Sequence, residues 1–189
     1  MQEKENVLDI LKKTKKAIKD SDIMLIKQLS NRTVHTSSIY QDSDNIAVAV
    51  IVYALSKILE REKYHQYPEW NNFYKNFLAG IDTAIFSLEK DNLEGFRKAI
   101  IKIRESIDRL SGKFKNYIQD VFRKASINKA SRIYEHGISM EQTANLLGIS
   151  IFELAEYAGE TGIADVDLSI TKDIRDRIKI VLDIFKDKK

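Results

Sequence analysis

Apolar residues recur every three or four positions over most of this chain, the spacing of one face of an α-helix. The first such stretch runs from about Lys4 to Ile18. Val7, Leu11 and Ile18 share one side, and Lys12, Lys13, Lys15, Lys16 and Lys19 surround the rest, a pattern that reads as a solvated face. Asp22 to Leu29 predicts a second, short helix. Ser30 to Asp44 is polar and less periodic, and its Ser, Thr, Asn and Asp content favours a turn or a capped helix end. Ser43 or Asp44 suits the N-cap of the next helix, which should reach about Glu62. Its first half, Ile46 to Leu55, is apolar on every face and is expected at the centre of a bundle.

Pro68 fits the first turn of a following helix, where no amide donor is needed. From Glu69 to Glu89 the apolar set is Trp70, Phe73, Phe77, Ile81, Ile85 and Leu88. Asp91-Asn92 makes a turn, and Leu93, Phe96, Ile100, Ile103, Ile107 and Leu110 form the next stripe, ended by Ser111-Gly112. The expected bundle has four longer helices plus the short one. No internal repeat is visible. A last amphipathic stretch, Ser169 to Phe185, carries Ile170, Ile174, Ile178, Val181, Leu182 and Phe185. It would serve equally as a dimer seam or as a helix packed back on the bundle.

Composition sharpens this into an all-α fold. The 189 residues include one proline and seven glycines, too little punctuation for strands and turns. The absence of cysteine excludes a disulfide scaffold, a thiolate metal site and a cysteine nucleophile. The longest apolar run has ten residues, too few for a bilayer span, and the charged N-terminus lacks a signal peptide's apolar core. No membrane association and a cytoplasmic address are expected.

Net charge is only +3, but it is unevenly spread. Between Arg109 and Arg132 stand seven basic residues, Arg109, Lys113, Lys115, Arg123, Lys124, Lys129 and Arg132, against one acid, Asp120. Between Gly137 and Ser169 there are six acids and no Lys or Arg. This shift places a boundary near Ser111. The expected organisation is a helical bundle over 1–110, a basic helix with a further module over 111–168, and a closing helix over 169–189.

That module has helix-turn-helix spacing. Ser139 caps a short helix, Ala144 is small where two helices approach, and Gly148 suits a turn needing positive φ. Ser150 and Glu153 have the spacing of a capping box, and Leu154 and Tyr157 point to the core. The stretch Ala130 to Ile163 resembles the short prokaryotic antitoxin-like helix-turn-helix family of uncharacterised proteins, through Tyr134, Gly137, Ser139, Ala144, Leu147, Gly148, Ser150, Phe152 and Gly162-Ile163. The resemblance covers about a fifth of the chain and implies a regulatory, antitoxin-type or DNA-binding role.

The leading expectation is therefore a non-enzymatic regulator that binds nucleic acid, DNA or RNA, as a homodimer. The seven basic residues would hold phosphates, and Ser150, Ile151 and Glu153 would begin the reading helix. The chemistry of that helix also supports a different expectation. Base reading uses Arg, Lys, Asn or Gln, whereas this helix offers Ile151, Glu153, Ala155, Glu156 and Glu160. The alternative is a protein-interaction module whose partner buries Ile151 and Phe152. A third reading, a helical ribonuclease, rests on Arg32 and His35 in a patch with Ser37, Ser38, Tyr40, Gln41, Asp42 and Asp44, at a spacing shorter than such enzymes use. No cofactor or metal is expected, since His35, His65 and His136 show no ligand spacing.

Overall fold

In a computed structural model the described residues are 1, 3–40, 43–135, 139–147 and 149–160. Among them are eight α-helices and no strands. The expected C-terminal helix at 169–189, together with His136, Gly137, Gly148 and Gly162-Ile163, lies outside the described residues.

Helix α1 (Lys4–Lys19) buries Val7, Leu8, Ile10, Leu11, Ala17 and Ile18. Its cationic face is not simply solvated. Lys12 pairs with Glu89 at 2.6 Å, Lys15 with Asp82 and Lys4 with Asp91, both at 2.5 Å, which aligns it antiparallel to α4 (Trp70–Glu89). Exposed pairs of this kind add little stability each, but they fix which face is inward.

Helix α2 (Ile23–Tyr40) corrects the short helix and polar turn expected across 22–44. Two hydroxyls show why a polar run can stay helical. The Ser30 hydroxyl donates to the carbonyl of Ala49 at 2.7 Å, across to α3 (Ser43–Leu59), and the buried Thr33 hydroxyl donates to the carbonyl of Leu29 at 3.0 Å. Tertiary packing outweighs the turn preference of these residues. Helix α3 itself is central, with Ile46, Val48, Ala49, Ile51, Val52, Ala54, Leu55 and Ile58 all buried.

A 3₁₀ turn (Glu62–Gln66) leads into α4, and α5 (Leu93–Asp108) follows. The turns after α1 and α4 share one hydrogen-bond pattern. Asp22 N–H donates to the Ala17 carbonyl and Ser21 N–H to Ile18; Asn92 N–H donates to Ser87 and Asp91 N–H to Leu88. This is the Schellman arrangement, with Ser21 (φ 54°) and Asp91 (φ 56°) in the left-handed position. Asp22 and Asn92 then cap α2 and α5, accepting from the amides of Leu25 (2.9 Å) and Gly95 (2.8 Å). The two helical hairpins thus repeat a turn device that residue identity conceals.

Helices α4 and α5 cross closely at Gly80. A Cβ there would lie 2.3 Å from Cγ1 of Ile103. Gly80→Val is accordingly expected to cost about 1–3 kcal/mol through overpacking, despite relieving the helix of a glycine. Urea unfolding would show it, and a midpoint equal to wild type would refute the close crossing.

Helix α6 (Gly112–Glu135) carries Phe114, Ile118, Val121 and Ala125 into the same core cluster as α1–α5. The charge boundary near Ser111 falls at a turn, where Ser111 donates its amide and hydroxyl to Glu69. The core runs across it. The two short helices α7 (Met140–Leu147) and α8 (Ile151–Glu160) pack on the second half of α6.

Candidate interaction site on the helix-turn-helix unit

The unit is built around small residues. Ala130 of α6, Ala144 of α7 and Leu154 of α8 form a compact cluster flanked by Met140 and Ile149. Ala144 is buried where the helices meet, as its size suggests. The Ile149 amide donates to the Ala144 carbonyl at 3.1 Å, closing the turn.

The capping box is fully formed. The Glu153 amide donates to the Ser150 hydroxyl oxygen at 3.2 Å, while the Glu153 carboxylate accepts from the Ser150 amide (2.9 Å) and hydroxyl (2.8 Å). Its other oxygen accepts from Arg123 Nε at 2.8 Å and Nη2 at 2.6 Å. The amide of Ser150, then the Arg123 guanidinium and the Ser150 hydroxyl, hold the Glu153 pKa down at about 2. Asn128 completes the attachment by donating to the Tyr157 hydroxyl at 3.1 Å.

Of the seven basic residues expected to hold phosphates, Lys129 is buried and the others lie wholly or partly at the surface. Lys129 is 0% exposed, a correction to its expected role. Its ammonium sits 4.1 Å from the Tyr53 ring centroid and donates to Asn31 Oδ1 at 2.9 Å. Burial, then the charge of Arg132, pulls its pKa down to about 7. The signal was present in the spacing. Phe114, Ile118, Val121, Ala125 and Ile133 are buried at helical intervals, and Lys129 falls on that stripe. Arg123 is committed to Glu153. Lys124 pairs with Asp120 at 2.9 Å, and Lys115 donates to the Asp108 carbonyl at 2.9 Å. Arg109, Lys113 and Arg132 lie on the surface.

The three residues expected to open a reading helix divide likewise. Ser150 and Glu153 serve the cap. Ile151 is 38% exposed, and the adjacent Phe152, at 82%, is the most exposed large apolar side chain among the described residues. Ala155, Glu156 and Glu160 are also exposed. The outward surface of α8 is therefore an aromatic anchor with carboxylates and no cation.

Of the residues in the ribonuclease patch, Arg32 and Asp44 have described side chains. Arg32 donates to Asn6 Oδ1 (2.7 Å) and Asp9 Oδ2 (2.8 Å) of α1, and Asp44 receives a bidentate Arg97 from α5, with Nη2 to Oδ2 at 2.9 Å. The side chains of His35, Ser37, Ser38 and Tyr40, and all of Gln41 and Asp42, lie outside the described residues. Among the described residues no group of three or more His, Asp or Glu is placed to hold a metal ion, and no helix is long and apolar enough to cross a membrane. No protein-family model, curated protein or solved structure matches the chain.

Proposed function

We propose that this chain is a non-enzymatic interaction protein whose helix-turn-helix unit docks a protein partner through the start of α8. The observation that carries the reading is the 82% exposure of Phe152 in the first turn of α8, which the Ser150–Glu153 capping box begins. Large aromatic side chains held out in this way are the usual anchors of interfaces, inserted into a pocket and ringed by weaker contacts. Glu156 and Glu160 beside it favour a partner pocket with a basic rim. A second copy presenting the same face would bring acids against acids, so the partner is a different chain.

The nucleic-acid reading rests on the surface cations Arg109, Lys113 and Arg132. The acidic outer surface of α8 would repel phosphate, and Arg123 already neutralises an internal carboxylate. A regulator or antitoxin role remains compatible if it is exercised through protein contact.

The test is a photo-reactive residue at position 152, introduced in the cells that make the protein. A discrete protein adduct is expected. Phe152→Ala should weaken that partner's affinity by about 30-fold, or roughly 2 kcal/mol, and leave the melting temperature unchanged. Salt-dependent binding of duplex DNA or RNA by the purified chain, with no protein adduct at 152, would replace this reading with the nucleic-acid one.

A further inference from the structure

A groove of about 850 Å³ opens between α3, α5 and α6 and runs up to the turn before α8. Its walls include Val50, Ile107, Phe122 and Ile149, and its rim carries Arg104, Asp108 and Gln119. Along α6 the lining extends from Asn116 to Ser126, about 15 Å at the helical rise. That length matches roughly ten residues of a second helix, or three consecutive positions of an apolar stripe.

The chain contains one segment with such a stripe and no place in the described fold. Ile170, Ile174, Ile178, Val181, Leu182 and Phe185 recur at helical spacing, and an amphipathic helix of this length needs a surface to cover its apolar face. We infer that the segment 170–185 docks as a helix in the groove between α3, α5 and α6 of its own chain.

Reach and concentration favour its own groove over a neighbour's. Glu153 lines the groove, and α8 ends at Glu160, about 10 Å further along the helix axis. Residues 161–169 can span up to about 30 Å, more than the return requires. A tether this short holds the segment at an effective concentration near the millimolar range, far above that of a second chain in dilute solution. Charge is compatible as well. The groove rim bears both signs, Arg104 and Asp108, and so do the flanks of the stripe, with Asp173, Arg175, Asp176 and Arg177.

The absence of native cysteine makes the test direct. Gln119→Cys on the exposed rim is combined, in the full-length chain, with single cysteines at Lys172, Arg175, Asp176 or Lys179. A disulfide requires Cα atoms within about 7 Å, so one or two of the four pairs should close within the monomer. Closure at low micromolar protein should be about tenfold faster than for a control pair using Lys16→Cys on α1, reflecting the local concentration of a docked tether. Adding Ile174→Asp and Ile178→Asp should abolish the difference while leaving the helical circular dichroism of the bundle in place. Disulfides formed only between chains would assign the groove to a second copy. Closure no faster than the control at all four positions would leave the segment undocked. Either result overturns the inference, and neither bears on the partner of Phe152.

Discussion

Phe114→Ala is expected to destabilise the whole bundle by about 3–5 kcal/mol, the usual cost of removing a fully buried aromatic ring. Phe114 stands only two residues past the start of α6, yet it is the hub of an aromatic cluster drawn from three elements. Tyr67 stacks on it at 4.8 Å with 14° between the planes, Phe73 meets it edge-on at 5.9 Å and 88°, and Trp70 and Tyr64 approach at 6.5 and 6.2 Å. Trp70 is the only tryptophan, so its fluorescence reports this cluster directly. The thermal midpoint should fall by roughly 6–20 °C in a protein of this size, in one transition seen alike by fluorescence and circular dichroism. If the bundle ended at residue 110 as an independent unit, the loss of Phe114 would barely move the Trp70 signal. A shift of less than about 2 °C would support that separation and refute the shared core.

The second large effect concerns Lys129, and it depends on pH. In the unfolded chain this ammonium keeps its proton up to its ordinary 10.5, whereas in the folded chain it releases it at about 7. Between these values unfolding takes up a proton, so raising the pH favours the folded state. Below about pH 7 both states are charged and the cost of burying the cation is complete. Lys129→Met removes that cost together with the hydrogen bond to Asn31 and the contact with the Tyr53 ring. Each tenfold change in protonation is worth about 1.4 kcal/mol, and the lost contacts offset part of the gain. At pH 6.5 the methionine variant is therefore expected to be more stable by roughly 1–3 kcal/mol. By pH 9.5 the advantage should vanish or reverse. Urea unfolding at four pH values would measure it, and a difference constant across the series would show that Lys129 keeps an ordinary pKa in the fold.

These two residues also mark where sequence reading succeeds and where it stops. Period and caps are local, and they placed α1, α4 and α5 within a residue or two of their observed ends. The capping box at Ser150 and Glu153 and the close packing at Ala144 were legible for the same reason. Three features depended on tertiary context. The polar run after Leu29 continues as helix while the Ser30 hydroxyl donates to the Ala49 carbonyl of α3 and the Thr33 hydroxyl to Leu29 in its own helix. Lys129 was grouped by charge with its neighbours, although the spacing of Phe114, Ile118, Val121 and Ala125 already assigned it to the apolar side. The shift in charge near Ser111 suggests a boundary, while Phe114, Ile118 and Val121, just past it, join the core cluster of α1–α5. For Lys129 and for the charge shift near Ser111, the hydrophobic register is a better guide than composition. At the candidate site, the sequence already names Ile151 and Phe152 as the residues a partner would cover, and the structure adds how far Phe152 stands out, at 82% exposure. That exposure depends on Leu154 and Ala158, not Phe152, facing α6 and α7.

Helix α6 belongs to two cores at once. Its first half, through Ala125, is locked into the bundle, and its second half carries the cluster of Ala130, Ala144 and Leu154. With 24 residues it is a rod of about 36 Å, and beyond Ala125 it still meets the bundle where Lys129 reaches Tyr53 of α3 and Asn31 of α2. Such a rod acts as a splint between the two cores. Re-aiming Phe152 by tilting α6 would therefore strain the contacts of Lys129 with α2 and α3.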